Sequence, residues 1–218
     1  MSLKIAIDGP SGAGKSAIAK ALAHRLNYEY IDTGSLYRTI AYIATEIART
    51  DAIDEILQAC DEVSIGYENG MVTLDGSPLG DAIRTEAISQ KTSELSKDPA
   101  VREYLLQLQR RLADKGSTVM EGRDIGTVIL PDAEIKFFLT ASEGERARRR
   151  YLQRKELGED VDLKTIREDI HRRDLRDRTR EIAPLKQAED AIVIDSTNLE
   201  EDEVIEKMMG YVVRVNAL

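Results

Sequence analysis

A single cysteine, Cys60, leaves this chain unable to form an intrachain disulfide and favours a reducing compartment. No apolar run reaches membrane-spanning length, and no charged leader followed by an apolar stretch opens the chain. The expected location is the cytoplasm, with no membrane contact. Tryptophan is absent and only 2 phenylalanines accompany 8 tyrosines, so large aromatic anchors are scarce. Positive charge is in deficit: 31 Lys and Arg face 40 Asp and Glu, a net charge of −9. Binding to long nucleic acid, which relies on phosphate neutralisation, is not expected. The 2 histidines, His24 and His171, show no metal-ligand spacing and receive no role. Also missing is the Asn-Lys-x-Asp motif expected of a guanine-dependent switch.

What the 218 residues do hold is 42 % hydrophobic and 33 % charged, enough for one full core with a small insertion. Its most specific stretch is Gly9-Pro10-Ser11-Gly12-Ala13-Gly14-Lys15-Ser16, between an apolar run at Lys4–Ile7 and a helical segment to Leu26. Strand, G-x-x-x-x-G-K-S and helix, in that order, are the context of a loop that binds nucleoside triphosphate. Its backbone N–H groups and the following helix start form a phosphate cradle. Lys15 can reach between phosphates, and the Ser16 hydroxyl can ligate Mg²⁺.

Further strands are expected at Tyr28–Ile31, Thr118–Met120, Ile135–Leu139 and Ala191–Ile194, alternating with helices. This pattern implies an α/β fold with a five-stranded parallel sheet covered on both faces. Residues 62–80 break it. Val63–Tyr67 and Met71–Leu74, joined by Asn69-Gly70, read as an antiparallel hairpin inserted into a core of residues 1–61 and 81–218. Asp81, Asp98-Pro99, Ser142 with Glu145, and Asn198 with Glu201 are expected helix starts. Whether residues 211–215 form helix or strand is left open. The stretch 155–180 is charged and has few apolar anchors, so it is expected to project as a mobile helical lid.

Arginines recur at Arg38, Arg84, Arg102 and Arg123 and again through 173–180, at expected helix starts and strand ends. Their planar, permanently charged forks suit phosphate oxygens, so a second anionic ligand is expected beside the triphosphate. A phosphomonoester has its second pKa near about 6 and is already a nucleophile at neutral pH, so no general base is needed. Charge neutralisation, in-line positioning and water exclusion are needed. Asp32, directly after a strand, can orient a Mg²⁺-bound water or simply cap a helix. Arg146 and Arg148 to Arg150 can face a ligand or simply solvent. In residues 173–180, Arg and Asp alternate at a spacing that does not suit pairing on one helix face.

With these residues laid out, the chain closely resembles the bacterial-type cytidylate kinases, P-loop enzymes that phosphorylate CMP and dCMP. The matching pieces are Ile7 to Lys15, Asp32-Thr33-Gly34 with Tyr37-Arg38, Ile83-Arg84-Thr85, Gly122 to Thr127, Arg173-Asp174 to Arg180 and Ala183-Pro184-Leu185. The insertion at 62–80 also matches this bacterial type. The resemblance implies that Thr33, Arg38 and Arg123 clamp the CMP phosphate. It implies cytosine contacts from Ser93, Arg102, Asp124 and Arg180, and sugar and phosphate contacts from Arg173 and Asp177. ATP would lie on Gly9–Ser16, with Lys15, Asp32, Arg123 and Arg173 serving the transfer. Mg²⁺ would sit on Ser16 directly and on Asp32 through water. Uracil would set its carbonyl against the Asp124 carboxylate, and an unpaired buried polar group costs about 1–3 kcal/mol. Ser16 stands where many members have Gly, and Thr33 where Ser is frequent. The competing readings are a kinase of this fold acting on UMP or an alcohol, and a nucleotide-dependent switch without turnover. The chain is expected to act as a monomer.

Overall fold

The computed structural model describes residues 2–216 and builds them on a five-stranded parallel sheet. β1 (Lys4–Asp8), α1 (Lys15–Leu26), β2 (Glu29–Asp32) and α2 (Thr33–Tyr42) come first, and a π-helical turn at Ile43–Ala48 extends α2. After α3 (Ile53–Asp61), a second, antiparallel sheet holds β3 (Ile65–Glu68), β4 (Met71–Leu74) and β5 (Ser77–Pro78). A 3-10 turn at Gly80–Arg84 leads to α4 (Glu86–Leu95), α5 (Pro99–Ala113) and β6 (Thr118–Gly122). A π-helical turn at Ile125–Ile129, β7 (Ile135–Thr140), α6 (Glu143–Glu156) and α7 (Leu163–Thr179) follow. β8 (Ile192–Asp195) and α8 (Glu201–Asn216) close the chain.

The strand order β2-β6-β1-β7-β8 puts β1 in the centre, with β6 and β7 beside it. Alternate residues of β1 supply opposite faces: Ile5 and Ile7 join a core with α1 and α8, while Ala6 joins one with α2 to α5. Ligands of such sheets lie beyond the carboxyl ends of the strands. The loops after β1, β2 and β6 all open there.

Several local expectations differ in detail. The hairpin gains β5, and its Tyr67 and Val72 are buried in the same cluster as Leu36 and Ile40. Asn69 and Gly70 take φ of 52° and 72°, as a tight two-residue turn requires. Asp81 does not cap α4, because the 3-10 turn intervenes; the Thr85 hydroxyl accepts from the Ile88 amide at 3.3 Å instead. The Asn198–Glu201 pairing is not used, since α8 begins at Glu201 and the Glu200 amide donates to Glu203 at 2.9 Å. Residues 211–215 continue α8.

The charged stretch 155–180 is better anchored than its composition suggests. Ile166 and Ile170 of α7 pack with Ala147 of α6 in a separate apolar cluster. On the same face, Asp174 and Asp177 are buried too. The Arg/Asp alternation thus resolves into one buried face, whose aspartates find partners on other elements.

Candidate active site

The loop between β1 and α1 is shaped by its glycines. A Cβ on Gly9 would stand 2.0 Å from the Leu139 carbonyl oxygen, and Gly12 and Gly14 hold φ of 77° and 89°. α1 starts without a side-chain cap and without an acidic residue in its first turn. By contrast, α4, α5, α6 and α7 are capped by Thr85, Asp98, Ser142 and Asp162. The unfilled N–H groups of α1 are a place for an anion. Lys15 is buried and its ammonium donates to the Pro10 carbonyl at 2.9 Å. Burial, then the Arg123 charge, push its pKa down to about 7, against the pull of Glu121, Asp8 and Asp177.

Carboxylates line the floor. In register, Glu121 of β6 lies opposite Ile7 of β1 and Asp32 of β2. It is buried, accepts from the Ser16 hydroxyl at 2.5 Å and from Tyr30 at 3.3 Å, and burial raises its pKa, as does Asp32. Asp8 accepts from the Ile125 and Gly126 amides, each at 2.8 Å, and fixes the loop after β6. Burial lifts its pKa to about 6 despite those two bonds.

Asp32 makes no side-chain cap on α2; its carboxylate accepts from Arg38 at 2.8 Å. The Asp32 amide donates to the Tyr67 hydroxyl at 3.0 Å, which ties the small sheet to this corner. Arg38 keeps a buried Nε without a partner among the described residues. Thr33 spends its hydroxyl proton on the Glu121 carbonyl at 2.8 Å. Next to these, Arg123 donates to Asp177 at 2.9 Å. Arg173 is exposed and forms no ion pair among the described residues, yet the surrounding protein and the charges of Arg123, Arg176 and Arg150 lower its pKa. Asp177 opposes them. Such crowding of guanidinium groups is a standing positive potential.

Asp124 sits between two arginines. Arg102 donates to one oxygen at 2.6 Å, and an Arg180 nitrogen lies 3.2 Å from the other, without hydrogen-bond alignment. Arg102 also lies over the Tyr37 ring, 5.8 Å from its centroid. Ser93, half-buried on α4, makes no side-chain hydrogen bond among the described residues. Lys15, Ser16, Asp32, Arg38, Arg123, Asp177 and Arg173 are linked by direct bonds or charge effects, with Glu121 joining Ser16 and Asp32 to Lys15 and Arg123. Arg84 lies outside this group, exposed and 3.9 Å from Asp81. Arg148 and Arg149 pair with Glu145, Arg149 also lies 3.8 Å from where a Cβ on Gly14 would stand, and Arg150 adds its charge beside Arg173.

Glu121, Asp8 and Asp174 receive no role from the sequence, and Arg146 is weighed there only together with Arg148 to Arg150. The available signal for Glu121 was a carboxylate ending a buried strand next to glycine. Arg146 is buried and donates to the Ser11 carbonyl at 2.8 Å and to Asp174 at 2.5 Å. Nothing in a helix carrying Arg146, Arg148, Arg149 and Arg150 marks one of them as the buried member.

A family model described as cytidylate kinase matches residues 5–214. A cytidylate kinase from Caldicellulosiruptor saccharolyticus is 47 % identical over 212 residues, covering 95 % of this chain and 94 % of the relative. One from Bacillus anthracis is 44 % identical over 221 residues, covering 99 % and 98 %. Among solved structures, a shikimate kinase from Bacteroides thetaiotaomicron covers all of both chains at 16 % identity and a TM-score of 0.52. An uncharacterized protein from Eubacterium ventriosum covers 96 % of this chain and 98 % of its own, at 17 % identity and a TM-score of 0.57. These two structures share the fold alone.

Proposed function

The chain belongs to the cytidylate kinase family, and from that membership we propose how its residues divide the work. It is an ATP-dependent kinase that transfers the γ-phosphoryl group to CMP or dCMP, giving ADP and CDP or dCDP. ATP lies on Gly9–Ser16, where main-chain amides and the uncapped start of α1 hold its phosphates. Lys15 recovers its full charge against those phosphates and stabilises charge on the transferring group. Thr33, Arg38 and Arg123 grip the acceptor phosphate, with Arg173 completing the positive wall between the two nucleotides. Ser93, Arg102, Asp124 and Arg180 read the base, and Asp177 serves the sugar. Cytosine offers an amino donor to the Asp124 carboxylate, which Arg102 and Arg180 flank.

Mg²⁺ accompanies ATP in this reading. The Ser16 hydroxyl would hold it directly, with Asp32 and Glu121 holding its waters. These are hard oxygen donors, and Ser16 and Glu121 already stand 2.5 Å apart. Among the described residues no group of three or more His, Cys, Asp or Glu is placed to hold a metal alone. That suits an ion carried mainly by phosphates. Bound there, it neutralises charge on the phosphoryl oxygens.

No strong base is needed at the acceptor, so the protein's task is to bring two anions together and keep water out. The helical segment 155–180 acts as the lid, and residues 62–80 form the acceptor-side insertion. The enzyme works as a monomer in the cytoplasm; no described helix is long and apolar enough to cross a membrane. The observation that carries the reading is Arg123, which acts on both Lys15 of the phosphate loop and Arg173 of α7 and lowers the pKa of each. Its test is ADP formation from Mg·ATP with CMP, dCMP, UMP and AMP in parallel. Rapid turnover is expected with the cytidine nucleotides, and equal ADP formation without any acceptor would indicate a hydrolase.

A further inference from the structure

α7 touches both halves of the site through one face. Ile170, Asp174 and Asp177 follow at helical spacing, and all three are buried. Asp174 is anchored on the ATP side: one oxygen accepts from the Ser11 amide of the phosphate loop at 3.1 Å. Its other oxygen accepts from Arg146 at 2.5 Å, and Arg146 also donates to the Ser11 carbonyl at 2.8 Å and to the Ala141 carbonyl at 3.0 Å. Ile170 and Arg146 both close on Gly12, where a Cβ would stand 3.5 Å from Ile170 Cδ1 and 3.2 Å from Arg146 Cβ. One turn along the helix, Asp177 is anchored on the acceptor side by Arg123 at 2.9 Å.

We propose that Asp174, braced by Arg146, is a positioning residue that couples filling of the phosphate loop to the set of the acceptor clamp. This rests on the kinase reading above and goes beyond it, because neither residue is assigned a contact with either nucleotide. Two carboxylates a helical turn apart on one rigid element cannot shift independently. A triphosphate that orders the loop fixes Ser11, and Ser11 fixes Asp174 and with it α7. Asp177 and Arg123 are then held in place before CMP arrives, so the second nucleotide meets less disorder to remove. Linkage makes the effect reciprocal: CMP tightens the loop's hold on the triphosphate by the same factor.

The test measures the Kd of CMP by calorimetry, with and without a saturating non-hydrolysable Mg·ATP analogue, in three proteins. The wild type is expected to bind CMP at least about fivefold tighter with the analogue present, within the usual range of coupling between sites. In Asp174→Asn the amide nitrogen leaves one of the two donors, Ser11 or Arg146, unserved, and the ratio is expected to fall towards one. The double variant R146M/D174L removes both charges while filling their volume, a replacement that buried ion pairs often tolerate. It decides the matter if D174N fails to fold, and its ratio is expected to be near one. A wild-type ratio near one overturns the proposal. So does a wild-type ratio in a folded variant. Because the readout is a ratio of affinities, a merely structural brace that weakens both measurements equally leaves it unmoved. Failure of the kinase reading would show separately, as wild-type protein that makes no CDP.

Discussion

Lys15 illustrates at one residue how an empty site holds its charge in suspense. Desolvation and Arg123 lower its pKa to about 7, so above neutrality the unliganded loop carries a largely neutral amine. A polyphosphate reverses both effects by adding negative charge at the ammonium, and the pKa must rise on binding. The sign follows: between about pH 7 and 9, binding takes up a proton, and below pH 7 the uptake fades because the amine is already charged. Mg²⁺-free ADP isolates the event, since its own terminal phosphate, with pKa near about 6, is already ionised in that window. Calorimetry at pH 8 in two buffers of different ionisation enthalpy is expected to show uptake approaching one proton. Affinity should then fall by up to about tenfold per pH unit above 7. Lys15→Arg, whose side chain does not titrate there, is expected to show none of this. Wild-type binding without proton uptake at pH 8 would place the functional pKa well above the window.

Asp124 joins three elements: it follows β6, Arg102 reaches it from α5, and Arg180 from the end of α7. Asp124→Asn replaces one acceptor oxygen by a donor that matches the uracil carbonyl better than the cytosine amine. The expected result is a drop in kcat/KM for CMP and a narrowing of the CMP-to-UMP preference by about ten- to a hundredfold, the worth of one unpaired buried group. KM for ATP should change far less. Equal losses for ATP and CMP would mean that Asp124 holds the loop together and reads no base. Elements of this kind differ in how much of them the sequence displays. The phosphate loop was legible because its geometry demands glycine at fixed places; Gly9 has no room for a Cβ. Strands and most helix starts were legible from periodicity and local caps. The buried face of α7 was not, because Asp174 and Asp177 are buried through partners in α6, the phosphate loop and the loop after β6. The 3-10 turn before α4 escaped for a related reason: Asp81 is a good capping residue, and tertiary packing placed the start at Thr85 instead.

At the scale of the molecule, the small sheet is integrated with the acceptor side of the site. Tyr67 and Val72 lie in the same apolar cluster as Leu36, Ile40 and the helices behind Asp32. Full burial of two such side chains contributes about 1.5–3 kcal/mol each, a large share of the 5–15 kcal/mol by which domains are stable. Replacing residues 64–79 by a short Gly/Ser link is therefore expected to lower Tm by about 6–24 °C, taking about 2–4 °C per kcal/mol at this chain length. Tyr67→Phe separates the two parts of that loss. It keeps the ring in the core and removes only the hydroxyl that accepts from the Asp32 amide and exchanges a hydrogen bond with Ser35 at 3.1 Å. Its Tm should fall by only a few degrees, while KM for CMP rises, because Asp32 and its partner Arg38 lose their fixed start. KM for ATP should hardly move in Y67F, since the loop after β1 has its own supports in Glu121, Asp174 and Arg146. A deletion variant that melts like the full chain would make the small sheet an appendage, and the Tyr67–Asp32 contact would then carry no energetic weight.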